Sequence, residues 1–349
     1  MGTPPEHRLR PTRIGMPKKD DLPATGRAKD PQSNEFLTRS DGSRVRILVA
    51  WQPGVAGDEA VDTAAWLAKV LPARVRAVST LLRLWPTTSL SKLGSRYDKW
   101  LNKQTKAYNA RVREAFGNAG IDESHWDSDV AVVADGPNES SLLNEAATEF
   151  GADLLVVGSR PAAAKGRFLS GTTTDALLHS ATTPLLLAPR SVKLSKRGVT
   201  RVNVAYLSTK SEEVQQALFF GGQLAQRLGV PLRLVAFSPT GLTHHNLDDR
   251  IDLSRELSDE WYEHALGMLD RARDLTMETL PDLDVHTALG SGAGWPGAVD
   301  ALKWKKGDLL CMGSTIRGPF ERVFLGSTEA QFLQHVSVPV IVLPAPTQP

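Results

Sequence analysis

A single offset runs through this chain. Gly171 and Gly326 stand 155 residues apart, and so do Pro184 and Pro339, Leu178 and Leu333, Gly158 and Gly313, Asp153 and Asp308, and Ala50 and Ala205. A constant offset over this length is an internal duplication. Its period is far longer than a solenoid repeat, so the unit repeated is a domain. The chain has 349 residues, and a prior of about 150 residues per domain also gives two. The expected boundaries are a first domain at 44–192, a linker at 193–200 and a second domain at 201–345.

Residues 1–43 lie outside the duplication. They are rich in Pro, Arg, Lys and Asp, carry few large apolar residues and show no period. Such a segment buries too little surface to offset its ordering entropy, so the expectation is a disordered tail. It also lacks the apolar centre of a secretion signal.

Within each copy, apolar β-branched runs alternate with stretches of helical period. The first copy predicts strands at 44–51, 75–82, 129–134, 152–159 and 184–189. Its predicted helices are 58–71, 93–116, 138–150 and 172–180. The second predicts strands near 201–207, 231–237, 283–289, 308–313 and 339–343, with helices near 211–228, 249–279, 295–305 and 327–335. Alternation of this kind implies a mostly parallel sheet with right-handed crossovers. The fold class is therefore α/β, two tandem doubly wound five-stranded parallel-sheet domains. Ligands in such sheets bind beyond the carboxyl ends of the strands, at the switch point. The last strand of each copy, PLLLAP or PVIVLP, is an edge that needs cover. Pairing these two edges within the chain would make a pseudo-dimer, and pairing between chains a homodimer.

Composition narrows the partners. The formal net charge is +2, which argues against nucleic acid or a membrane surface as the main partner. No apolar run reaches the roughly 18 residues of a membrane span. The single cysteine, Cys311, excludes an intrachain disulfide and fits a reducing, cytoplasmic setting. Cys311 lies between Leu310 and Met312 in a strand, so it reads as a buried thiol rather than a nucleophile.

The segment that carries chemistry follows the fourth strand. Gly158 ends that strand, and Gly171-Thr172-Thr173 opens a helix about a dozen residues later. Gly313 and Gly326-Ser327-Thr328 repeat the arrangement. A glycine lets backbone approach a ligand, and the first helical turn offers free N–H groups and partial positive charge. Hydroxyls there can cap the helix or reach a phosphate. Capping explains either copy alone. The repetition points to an inherited anion site. Arg160, Lys165 and Arg167 in the first copy, and Arg317 and Arg322 in the second, either meet phosphate charge or form a solvated basic loop, and the residues support both readings equally.

A strand ending in Gly-Ser, a spacer, Gly-Ser/Thr, a short helix and a proline-led apolar strand together resemble the universal stress protein family. The resemblance covers both copies, about 44–190 and 201–344, and tandem members are common in it. It implies an adenine nucleotide alpha hydrolase-like fold and pairing through the last strands. It also implies a role in stress and ATP binding, with Mg2+ accompanying the nucleotide. The implied phosphate residues are Gly158, Arg160, Gly171, Thr172 and Thr173, and Gly313, Arg317, Gly326, Ser327 and Thr328. The family motif has a middle glycine, where this chain has Pro161 and Ile316. An acidic residue ends the first strand in nucleotide-binding members, where this chain has Gln52 and Leu207. The expectation is weak ATP binding, or binding in one domain only, with slow hydrolysis as the activity such a site would allow. The alternative is a scaffold or regulator that kept the fold and lost the ligand.

Other residues carry less. His244, His245 and His264 lack the spacing of a metal site. Ser170 and Thr172 have no His–Asp partners at a recognisable spacing. Asp153 and Asp308 precede the fourth strand in each copy and read as turn residues. Trp51 and Tyr206 are either core or base-stacking residues, and Trp100 and Trp261 read as packing on the long helices.

Overall fold

A computed structural model describes residues 44–55, 57–83, 95–205, 212–240, 251–313 and 332–344. In the first half, β1 is Val45–Ala50, α1 Glu59–Ala68, β2 Ala73–Leu82, α2 Ser95–Ala119, β3 Trp126–Gly136, α3 Glu139–Phe150, β4 Leu154–Gly158, α4 Thr172–Ser180 and β5 Leu185–Ala188. In the second, β6 is Arg201–Ala205, α5 Glu212–Leu228, β7 Leu232–Thr240, α6 Ile251–Thr279, β8 Val285–Ala293, α7 Gly294–Asp300, β9 Asp308–Gly313 and β10 Val340–Leu343.

The strands form one ten-stranded sheet in the order β3-β2-β1-β4-β5-β10-β9-β6-β7-β8. Every pairing inside a half is parallel. The seam between the halves is antiparallel, with Val340 opposite Leu187, Ile341 opposite Leu186 and Val342 opposite Leu185. The two edges that the sequence leaves open therefore close on each other. Leu186 and Ile341 are buried at that seam.

Apolar cores lie on both faces, and each crosses the seam. One face is covered by α1, α2, α5 and α6 and includes Trp66, Val112, Phe116, Phe220, Leu186 and Ile341. The other is covered by α3, α4 and α7 and includes Leu143, Phe150, Leu177, Phe237, Trp295 and Phe332. Two covered faces explain why β4 and β9 are unbroken apolar runs. The stretch between the halves is packed too. Val199 is buried, and a Cβ on Gly198 (φ +78°) would lie 2.5 Å from Val70 Cγ1.

Local chemistry sets the element ends. The Asn138 side chain accepts from the Ser141 N–H at 3.0 Å to cap α3, and Gly151 in the left-handed region (φ 60°) closes it. The strand expected at 283–289 continues to Ala293 through a glycine-rich stretch. The reason is close packing: a Cβ on Gly292 would lie 2.5 Å from the Gly297 carbonyl carbon, so α7 lies directly on the strand. The helix expected at 295–305 is correspondingly short, and Lys303 at φ 48° stands beyond its end. Of the long α2 only Tyr108, Val112 and Phe116 are buried. Trp100 is 43% exposed, so it is not the packing residue its spacing predicts. Trp261 does pack against the core, and its indole N–H donates to the Phe237 carbonyl at 3.1 Å. Cys311 is buried, and burial pushes its thiol up. Among the described residues no helix is long and apolar enough to cross a membrane.

Candidate nucleotide site

In the first half, β1 has β2 on one side and β4 on the other, which makes the β1–β4 pair the switch point. The carboxyl end of β1 is closed by aromatic packing. The Trp51 indole N–H donates to Asp58 at 3.0 Å, and its carbonyl accepts from the Tyr108 hydroxyl at 2.8 Å. The two rings stack at 6.2 Å, and Trp51 is buried among the core residues rather than open to a base. Burial pushes the Tyr108 phenol up. Gln52, at the acidic position of the resemblance, is exposed.

Beyond β4 the chain folds back on itself. The buried Ser159 hydroxyl accepts from the Leu169 N–H at 2.9 Å, and the Arg160 N–H donates to the Leu169 carbonyl at 3.0 Å. These bonds bring Gly171 beside the end of the strand, and no sequence signal marked Ser159 for that role. Pro161 follows Arg160 in a turn closed by the Ala163 N–H on the Arg160 carbonyl at 3.0 Å. Proline suits that turn position, so the missing middle glycine has a structural replacement. The loop is held further by the Arg190 guanidinium on the Ala163 carbonyl at 2.7 Å.

Gly171 caps α4 with extended backbone (φ −109°, ψ 175°) and contributes no side-chain cap. Its own carbonyl takes the Asp175 N–H at 2.8 Å, and among the described residues no acceptor meets the amides of Thr172, Thr173 and Thr174. A Cβ on Gly171 would meet only the flexible Arg160 side chain, 3.4 Å from its Cδ, and one on Gly158 only Ala60, at 3.9 Å. Neither glycine is demanded by backbone angle or by packing. The exposed Arg160 guanidinium has no hydrogen bond or ion pair among the described residues.

Three sequence candidates are placed differently. Thr172 is exposed. The Thr173 hydroxyl donates to Glu139 Oε2 at 2.5 Å, and the other oxygen of that carboxylate takes the Thr80 hydroxyl at 2.8 Å. Glu139 opens α3 and was legible only as an acidic residue in a first turn. Arg167 turns away from the site. It donates to the His335 carbonyl and to Asp300 Oδ1 at 3.3 Å, both in the second half.

In the second half Gly313 ends β9. Leu207, Ile316, Arg317, Arg322, Gly326, Ser327 and Thr328 lie outside the described residues, as do Tyr206, His244 and His245. The Asp153 and Asp308 pair are more than turn residues. Asp153 accepts the Arg46 N–H at 2.8 Å. Asp308, fully buried, takes the Lys305 N–H at 2.8 Å and a bidentate Arg201 at 2.8 and 2.7 Å.

The universal stress protein family profile matches residues 44–189 and again residues 199–344. Universal stress proteins of Mycobacterium tuberculosis and Mycobacterium bovis are 30% identical over 302 residues, covering 85% of this chain and 99% of theirs. A universal stress protein of Archaeoglobus fulgidus shares the fold, with a TM-score of 0.55 at 16% identity over 86% of this chain and 98% of that one. Two profile matches in tandem and an alignment along nearly the full length of its relatives place the chain in the universal stress protein family.

Proposed function

We propose that this chain acts in a stress response and binds an adenine nucleotide, ATP, weakly and through one of its halves. The observation that carries the reading is the pair of glycines that folding does not require. Gly158 and Gly171 have room for a side chain, yet they flank three amides without acceptors and an unengaged Arg160. Free amides at a helix start and a guanidinium are the groups that meet phosphate. In this reading Gly158, Arg160, Gly171, Thr172 and Thr173 would line the first site. Gly313, Arg317, Gly326, Ser327 and Thr328 would line the second. Among the described residues no three His, Cys, Asp or Glu side chains cluster to hold a metal. In this reading Mg2+ accompanies the nucleotide.

A second reading has its own support. Thr173 is already bound to Glu139 and Arg167 to the other half, while the fused sheet seals the pseudo-dimer. That favours a scaffold that no longer needs a ligand. Protein purified from cells, denatured and chromatographed for adenine nucleotides, then titrated with ATP and Mg2+, separates the two. Binding that Gly171→Asp or Gly326→Asp abolishes supports the nucleotide reading and assigns the half. No carry-over and no heat up to millimolar ATP leaves the scaffold.

A further inference from the structure

The first half carries its own anion at the place where phosphate charge would be met. Glu139 begins α3, Thr80 lies on β2 and Thr173 on the first turn of α4, so one carboxylate ties three elements together. Both hydroxyls spend their only proton on it. A phosphate oxygen taking the Thr173 hydroxyl would have to displace Glu139 and then lie against it, and like charges in a partly desolvated site oppose each other strongly.

The second half is built otherwise. Ala50 pairs with Val78 and Ala205 with Val235, so Thr80 corresponds to Phe237. Phe237 is fully buried against Trp295 and Phe332, with ring centroids 6.2 and 4.9 Å away. The first turn of α7 contains no acidic residue. Aromatic packing there does the work that the carboxylate does in the first half, and it leaves no charge behind.

Resting on the nucleotide reading above, we infer that Glu139 is the residue that sets specificity in the first half. Its carboxylate opposes polyphosphate at Gly171-Thr172-Thr173 and so keeps nucleotide binding in that half weak. It touches no reacting atoms, so its effect is on which ligand charge the site accepts.

The test uses the full chain carrying Gly326→Asp, which disables the second site, with ATP in the absence of Mg2+. Adding Glu139→Ala should raise ATP affinity by roughly tenfold or more. Glu139→Gln should act in the same direction. Adenosine, which has no phosphate, should change by less than about twofold. A third change, Gly171→Asp, should cancel the gain. Glutamine keeps an acceptor for one hydroxyl, so it carries the test if the alanine variant does not fold. An ATP affinity unchanged or lowered by either Glu139 variant overturns the inference. So does an equal gain for adenosine, which would mean a loosened site rather than a removed charge. So does weaker binding by either Glu139 variant in a parallel titration with MgATP, which would make Glu139 a partner of the metal. The underlying reading fails separately, when the unmodified chain binds no ATP at all. A gain on removing Glu139 would then still uphold the role of the carboxylate.

Discussion

The two halves share one topology and fix it by different means. At the carboxyl edge of the sheet, Thr80, Glu139 and Thr173 join β2, α3 and α4 by hydrogen bonds in the first half. Phe237, Trp295 and Phe332 fill the corresponding place in the second. At the amino edge the asymmetry reverses. Arg76 reaches outward to Asp127 on β3, with Nε at 2.9 Å, and lies 4.4 Å over the Phe150 ring. Its counterpart by strand register, Arg233, is 7% exposed and turns inward. It donates to Asn203 at 2.6 Å and to the Leu302 carbonyl at 2.7 Å, and it stands 3.7 Å from Asp308. Burial pulls the Arg233 guanidinium down to about 10, the nearby Arg201 adds to this, and Asp308 opposes it. A duplicated fold tolerates such exchanges because shared backbone pairing holds the sheet while side chains diverge.

The largest expected effect probes the amino edge. Asp308→Ala leaves Arg201 and Arg233 without their buried carboxylate and should cost about 3–5 kcal/mol in urea denaturation. Asp153→Ala in the first half, where the carboxylate accepts the Arg46 N–H, should cost less, about 1–2 kcal/mol. Equal losses would show that the buried network adds nothing special to the second half.

The carboxyl edge gives a contrast of similar size. Phe237→Ala opens a cavity in an aromatic cluster and should cost about 3–5 kcal/mol. Glu139→Ala, on a half-buried residue, should cost about 1–2 kcal/mol in the same assay. A reversed order would mean that the polar pin, not the aromatic cluster, is the stronger fastening.

The long helices offer a smaller comparison. Each sends one polar group to the sheet, Tyr108 to the Trp51 carbonyl just past β1 and Trp261 to the Phe237 carbonyl in β7. Tyr108→Phe removes only the hydroxyl and should lower stability by about 1 kcal/mol. Trp261→Phe removes apolar area as well and should cost more. Thermal melts followed by circular dichroism would rank them.

The smallest effect belongs to the contact between the halves and appears through pH. His335 is held below its ordinary value of 6.5, chiefly by burial and then by Arg167, with Asp300 opposing. Below 6.5 the unfolded chain takes up a proton that the folded one resists, so stability falls as pH drops through that window. His335→Asn should flatten the decline between pH 7.5 and 5.5 in paired melts. An unchanged slope would place the acid sensitivity elsewhere.

Much of this was legible in the residues. The offset announced two copies, and alternating periodic segments announced a parallel sheet. The open final strands announced a seam. Cys311 was readable as buried because its neighbours are apolar. The candidate site was legible in part. The bonds of Leu169 to Ser159 and Arg160 bring the segment before Gly171 back beside the end of β4. Arg167 was misjudged because charge near a motif says nothing about which way a side chain turns. Ser159 and Glu139 were missed because Ser and Glu are ordinary at a strand end and in a first helical turn.

What the sequence determined by itself is whatever depends on period and repetition. Helix and strand patterns are local, and a duplication is visible without coordinates. What only the tertiary structure decided is which group each polar atom meets. Thr173 and Glu139 are 34 residues apart, and Arg167 and His335 are 168 apart. A hydrogen bond forms only within about 3 Å and in a narrow range of angle. That approach is set by how the helices dock on the sheet, a sum of many contacts that no single stretch of chain contains.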